Sequence, residues 1–171
     1  MADFQYPALY SFPPFFTRQP NATTWSTQQS AWSALILAYC ERHRLFKFSV
    51  GHELFTNTEL SRRLPTPAAI EVMEAMVKQG KAEWIGPEKQ EILVYWKTPR
   101  DWANAVYDWI DTTGQKGGVL TLYEIAWGQL TASTEFHGLD ETVLRRALDV
   151  LVERGVAKIF GSGDELGVKF F

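Results

Sequence analysis

Residues with reactive side chains are few and scattered. His43, His52 and His137 are the three histidines, and no pair stands at the HxxxH or HExxH spacing that puts two ligands on one helix face. Cys40 is the single cysteine, so neither an intramolecular disulfide nor a Cys-based zinc site can form. It falls beside the apolar stripe of a helix, where a core thiol is expected rather than a nucleophile. A lone cysteine also fits a reducing compartment. His43 reads as a dipole partner at a helix C-terminus, and His137 as a local hydrogen-bonding residue ahead of a helix. Gly161-Ser162-Gly163 lies between two strands, so it reads as a turn and not a phosphate loop. Asp140 and Glu141 belong to the first turn of a helix, where carboxylates favour the dipole. The expectation is no catalytic residue, no metal ligand and no cofactor, with an enzyme the last reading in rank.

The chemistry that remains is recognition, and it sits at the N-terminus. Residues 1–23, MADFQYPALYSFPPFFTRQPNAT, carry Pro7, Pro13, Pro14 and Pro20 among Phe4, Tyr6, Tyr10, Phe12, Phe15 and Phe16. The prolines forbid a continuous helix and predict extended or polyproline II backbone. Only Asp3 and Arg18 are charged, so the arm is too apolar for a solvated tail. Pro13, Pro14, Phe15 and Phe16 form a PPxF element of the kind that presents side chains to an aromatic groove at low entropic cost. A WW-type ligand would want tyrosine where Phe16 stands. Composition leaves two destinations open for the arm: its own first domain, or another chain.

Composition bounds the rest. The 171 residues are 46% hydrophobic and 22% charged, which disfavours global disorder. A net charge of −3 argues against a general nucleic-acid binder. No apolar run is long enough to cross a membrane. Ala2, where N-myristoylation requires glycine, excludes that anchor. The absence of Lys or Arg before Arg18 argues against a secretory signal. Seven Trp, eleven Phe and six Tyr are a heavy load to bury in so short a chain.

The positioning elements follow from periodicity. A helix is expected over 24–43, with Trp25, Trp32, Leu35, Ile36 and Tyr39 on one stripe and Gln28, Gln29 and Ser33 facing water. Phe46, Phe48 and Val50 alternate as a short strand. Asn57 should cap a short helix ending at Leu64. Thr66 should cap another that starts with Pro67 and stops at Gly80. Ala82–Ile85 and residues 91–96 read as a hairpin. Helices follow after Thr98, after Thr121 with Glu124 in a capping box, and over 141–154. A strand at Val119 and Leu120 and a closing hairpin, Ala157–Phe160 with Gly167–Phe170, complete the list.

The second half repeats the first at an offset of 75 residues. Gly80, Ala82 and Gly86 fall on Gly155, Ala157 and Gly161, and Tyr95 and Trp96 on Phe170 and Phe171. The repeated unit, helix, strand, helix, turn, helix and hairpin, is a winged helix. The fold class is therefore α+β: two tandem winged helices with almost no linker, at 1–97 and 98–171, preceded by the arm. Winged helices most often suggest DNA binding. Here the candidate recognition helices carry net charges of −1 each, from Glu71, Glu74 and Lys78 in one and from four acids against three arginines in the other. That is poorly suited to a polyanion. Aromatics at Trp84, Tyr95, Trp96, Phe160, Phe170 and Phe171 lie in the wings, where a domain or protein contact could cover them. By pattern the arm's six aromatics belong to neither core.

FPPFFTRQPN (12–21), the helix around Ala31 and Trp32, TLYEI (121–125), EFHGLDE (135–141) and the terminal GVKFF (167–171) resemble the vacuolar protein sorting twenty-five family, the small arm subunit of the ESCRT-II complex. The resemblance spans nearly the whole chain in order. It implies a non-enzymatic subunit of a complex with two copies of this chain and two larger winged-helix subunits. It implies that the arm, here Phe12, Pro13, Pro14, Phe15 and Phe16, docks on those subunits. It further implies that the second winged helix recruits the initiating ESCRT-III subunit, for which Val119, Leu120 and Thr121 are the residues chosen here, a buried-core role being the competing expectation. The implied setting is cytoplasmic, with recruitment to the endosomal membrane through the complex, in multivesicular body sorting of ubiquitinated cargo. The alternative is a winged-helix DNA-binding or chromatin-associated factor.

Overall fold

Asn21 opens the longest helix by accepting the Thr24 backbone N–H at 3.0 Å, and Arg44 closes it in a left-handed conformation (φ 51°). Between them α1 runs over Ala22–His43. The computed structural model describes residues 3–171; Met1 and Ala2, and with Ala2 the myristoylation reading, lie outside them. The described chain divides between Trp96 and Lys97 into two units.

In the first unit, β1 (Lys47–Ser49), β4 (Ala82–Ile85) and β5 (Glu91–Val94) form an antiparallel sheet in the order β1-β5-β4. Helix α2 (Thr66–Lys78) buries Ala68, Ala69, Val72, Met73 and Met76 against a core that includes Trp32, Ile36, Phe48 and Phe55. Thr66 is already helical and makes no capping bond; Pro65 stands at the cap position instead. Gln28 and Ser33, expected in water, are buried.

The expected helix over 57–64 does not form. Glu53–Phe55 is a 3-10 turn, and β2 (Thr56–Asn57) pairs antiparallel with β3 (Arg62–Arg63) as a two-residue hairpin. Asn57 Oδ1 accepts the Leu60 N–H at 3.2 Å, as a helix cap would, but its Nδ2 donates to the distant Tyr10 carbonyl and the chain turns back as a hairpin instead of continuing as a helix. Ser61 completes the reversal at φ 50°.

The second unit follows the expected order throughout. Thr98 caps α3 (Pro99–Thr112), β6 (Val119–Thr121) leads into α4 (Leu122–Trp127), and Asp140 caps α5 (Glu141–Glu153) through Thr142 and Val143. The Thr121–Glu124 capping box is formed in both directions. Strands β7 (Ala157–Phe160) and β8 (Gly167–Phe170) close a sheet ordered β6-β8-β7. This element order is consistent with a winged helix, and the first unit differs from the second in carrying the β2–β3 hairpin where the second has α4.

The repeat is visible in the backbone. Gly80 and Gly155 end α2 and α5 at φ 74° and 75°, a region that glycine enters without steric cost. The offset then slips by one residue. Tyr95 N–H bonds the Lys81 carbonyl, and its structural counterpart is Phe171, whose N–H bonds the Val156 carbonyl. The longer loop before β8 absorbs the extra residue, so Tyr95 does not fall on Phe170. Phe170 itself is fully buried within its own unit.

Candidate functional site

The arm is not extended. Two 3-10 turns, Ala8–Ser11 and Pro13–Phe16, fold it into a compact patch over α1. Proline's fixed φ suits the first positions of the second turn, where no N–H is needed. That turn points Phe15 and Phe16 inward, each 2% exposed. Phe15 stacks on Trp32 with centroids 4.2 Å apart and planes 4° from parallel, and Phe16 meets the same indole edge-on at 5.4 Å. Trp32 Nε1–H donates to the Phe15 carbonyl at 3.0 Å, satisfying the buried indole. Both phenyl rings are thus part of the first core, contrary to the pattern-based expectation for all six arm aromatics.

Two polar residues clamp the arm backbone, and Tyr10 of the arm adds a third tie through its side chain. Gln28 Nε2 donates to the Pro14 and Thr17 carbonyls at 2.8 and 3.1 Å, which accounts for its burial. Asn57 Nδ2 donates to the Tyr10 carbonyl at 2.7 Å. The Tyr10 hydroxyl donates to Leu54 O at 2.8 Å, and burial pushes its pKa up to about 12. At the arm's end Arg18 pairs with Glu71 at 2.6 Å and lies over Trp25. None of these partners is a sequence neighbour, so no local signal marks Gln28 or Asn57 as an arm clamp.

The arm's other side faces out. Phe12 is 53% exposed, and Tyr6 and Leu9 are exposed with it. Leu9, Phe12, Pro14 and Ala31 line an apolar groove of about 400 Å³. A second groove of about 360 Å³ shares Leu9, Phe15 and Ala31 with it and continues toward Leu35 and Ala38. Of the five expected docking residues, Phe15 and Phe16 are therefore anchors within the chain, while Phe12, Pro13 and Pro14 are exposed.

The three residues chosen in the second unit also separate. Val119 is exposed on β6, an edge strand; Leu120 is buried; Thr121 holds the α4 cap. The two most exposed aromatics of this unit lie elsewhere, at Tyr123 (68%) and Trp127 (56%), with Phe160 and Phe171 exposed in the closing hairpin. Tyr123 and Trp127 rim a cavity of about 290 Å³ with Leu122, Ala126, Leu139 and Leu144. Their i, i+4 spacing on α4 forms a second stripe beside the buried Leu122, Ile125 and Ala126.

Reactive groups serve packing. Cys40 is fully buried, and burial pushes its thiol up to about 12. His52 stacks on Phe48, and its Nδ1 accepts the Leu54 N–H at 3.0 Å. His137 Nδ1 lies 3.3 Å from Thr131 Oγ1. Among the described residues no three His, Cys, Asp or Glu side chains are grouped to hold a metal, and no helix is long and apolar enough to cross a membrane.

A family described as "ESCRT-II complex subunit" matches residues 9–140. Vacuolar protein-sorting-associated protein 25 of Homo sapiens is 41% identical over 98% of this chain and 98% of its own length. The protein of that name in Drosophila melanogaster is 40% identical over the full length of both, and that in Arabidopsis thaliana 36% identical over 99% of this chain and 97% of its own. Among solved structures, subunit VPS25 of the endosomal trafficking complex ESCRT-II superposes with TM-score 0.87 at 29% identity, covering 96% of this chain and 98% of that one. A chain from the crystal structure of ESCRT-II (VPS22/VPS25/VPS36) gives TM-score 0.84 at 30% identity over the same shares.

Proposed function

Because the chain belongs to the ESCRT-II complex subunit family, we propose that it is a structural subunit of ESCRT-II in endosomal sorting, acting by docking rather than catalysis. Its partners are the two larger subunits, of the kind named VPS22 and VPS36 in the solved complex. Two copies of the chain join each complex. The setting is the cytoplasmic face of the endosome, reached through the complex, in multivesicular body sorting of ubiquitinated cargo. The second unit recruits the initiating ESCRT-III subunit, with Val119 the outward-facing residue of the three selected there.

The observation that carries the docking reading is the two-sided arm. Phe15 and Phe16 fix its conformation from within, and Phe12, with Pro13 and Pro14, offers a preformed apolar surface to a larger subunit. A rigid arm loses little conformational entropy on binding. The experiment follows from this division. Phe12→Ala should leave the thermal unfolding of the free chain unchanged and weaken its association with the purified larger subunits by about 2 kcal/mol, roughly 30-fold, as loss of an interface aromatic does. Isothermal titration calorimetry reads the affinity. Unaltered binding would remove Phe12 from the interface. Phe15→Ala or Phe16→Ala cannot serve as the test, because either change also opens the core.

A further inference from the structure

We infer that the β2–β3 hairpin is a cationic contact for the chain that docks on the arm, and that the matching segment of that chain is acidic. The inference rests on the arm reading above. The hairpin is tied to the arm by side chains from both: Asn57 reaches the Tyr10 carbonyl, and the Tyr10 hydroxyl bonds the Leu54 and Thr56 carbonyls. Strand β3 lies against the turn formed by Pro13–Phe16. Its two residues are Arg62 and Arg63, both exposed.

Register assigns them different faces. Directly opposed residues of an antiparallel pair put their side chains on the same side of the ladder. Arg62 opposes Asn57, whose side chain reaches the arm, and Arg63 opposes Thr56. Arg62 is therefore the arginine on the arm side. Two other cations of this unit are paired within the chain, Arg18 with Glu71 and Lys89 with Glu74. Neither Arg62 nor Arg63 has an ion-pair partner among the described residues. The hairpin's own carboxylate, Glu59, lines a cavity with Tyr6, Tyr10 and Glu53.

Residues 1–96 balance nine Lys and Arg against nine Asp and Glu, and within that balance Arg62 and Arg63 are adjacent cations on β3 with Glu53 and Glu59 turned to the Tyr6–Tyr10 cavity instead. Charges at the rim of an apolar interface steer approach and set register more than they add affinity. A partner segment with Asp or Glu beside its apolar anchor meets that arrangement. An uncharged or basic segment would not.

The test measures association of the full-length chain with the purified larger subunits by surface plasmon resonance at low and high salt. Arg62→Glu/Arg63→Glu should slow association about tenfold at low ionic strength and flatten its salt dependence. Melting of the free chain should not change. Arg62→Gln should slow association more than Arg63→Gln, and because it keeps a polar side chain on an exposed strand it guards against a folding artefact. Unchanged rates and salt dependence in the charge reversals, with Phe12→Ala still weakening binding, overturn this inference and leave the arm reading intact. If Phe12→Ala also binds normally, both fall. Faster association of the charge-reversed chain would assign a basic partner segment and equally overturn it.

Discussion

The two units share a helical order and a hairpin, yet they treat the stretch between first strand and last helix differently. In the first unit that stretch, residues 53–63, is a 3-10 turn and a two-residue hairpin bonded to the arm at Tyr10. In the second it is helix α4, which leaves Tyr123 and Trp127 exposed. The difference is what an arm does to a small domain. A unit of this size buries a modest fraction of its chain, on the order of 60%. The first enlarges its core by importing Phe15 and Phe16 from outside the repeat. The second has no such segment, and Tyr123 and Trp127 stay on the surface beside an open cavity.

Trp32 is where this comparison can be broken most severely. It stacks on Phe15, meets Phe16 edge-on, and donates to the arm backbone. Trp32→Ala should remove the receiving surface and leave a cavity under both phenyl rings, costing about 3–5 kcal/mol. Urea unfolding monitored by circular dichroism would report it as an early transition of the first unit, with the second unit's transition in place. A loss below about 1 kcal/mol, within the range of surface substitutions, would mean that the arm is an appendage and that the two units differ only in decoration.

How much of this was legible depends on whether the deciding contact was local. The second unit was nearly transparent. Thr98, Thr121, Glu124 and Asp140 each cap a helix through a partner two or three residues away, so sequence spacing carries the information. The first unit failed where long-range bonds decide. Asn57 has the spacing of a helix cap, but it makes a turn with Leu60 and reaches back 47 residues to Tyr10. Gln28 has a solvent-facing pattern because nothing near it in sequence shows that the Pro14 and Thr17 carbonyls need a donor. The arm's prolines indicated extended backbone, whereas the drive to bury two phenylalanines folds them into turns. PPxF was found as a motif, but its division into inward and outward residues is a tertiary property.

A smaller effect probes the other side of the comparison. Because α4 has six residues and no arm over it, its capping box is a large part of what holds it. Thr121→Ala should cost the second unit about 1 kcal/mol, lowering its unfolding midpoint while the first unit's stays fixed. Thr121→Ser should recover most of the loss, since the hydroxyl acceptor is retained. If Ala and Ser behave alike, packing of Leu122, Ile125 and Ala126 rather than the cap sets the stability of α4.

The weakest expected effect lies in the turn that receives the arm. His52 Nδ1 must be unprotonated to accept the Leu54 N–H, and the carbonyl of Leu54 in turn accepts from Tyr10. Burial lowers the His52 pKa below its usual 6.5, opposed by the carboxylate of Glu53 and reinforced by His43. With a depressed folded pKa, the unfolded chain binds the proton more readily, so stability falls as pH drops from about 6.5 to the folded value and levels off below it. The second unit has no corresponding imidazole in its middle helix, so this loss should register only in the first. His52→Asn keeps a side-chain acceptor at the cap without a titrating ring. It should flatten the first unit's stability as pH falls below about 6.5, measured by urea midpoints at each pH. An unflattened curve would place the acid sensitivity elsewhere and uncouple His52 from the arm.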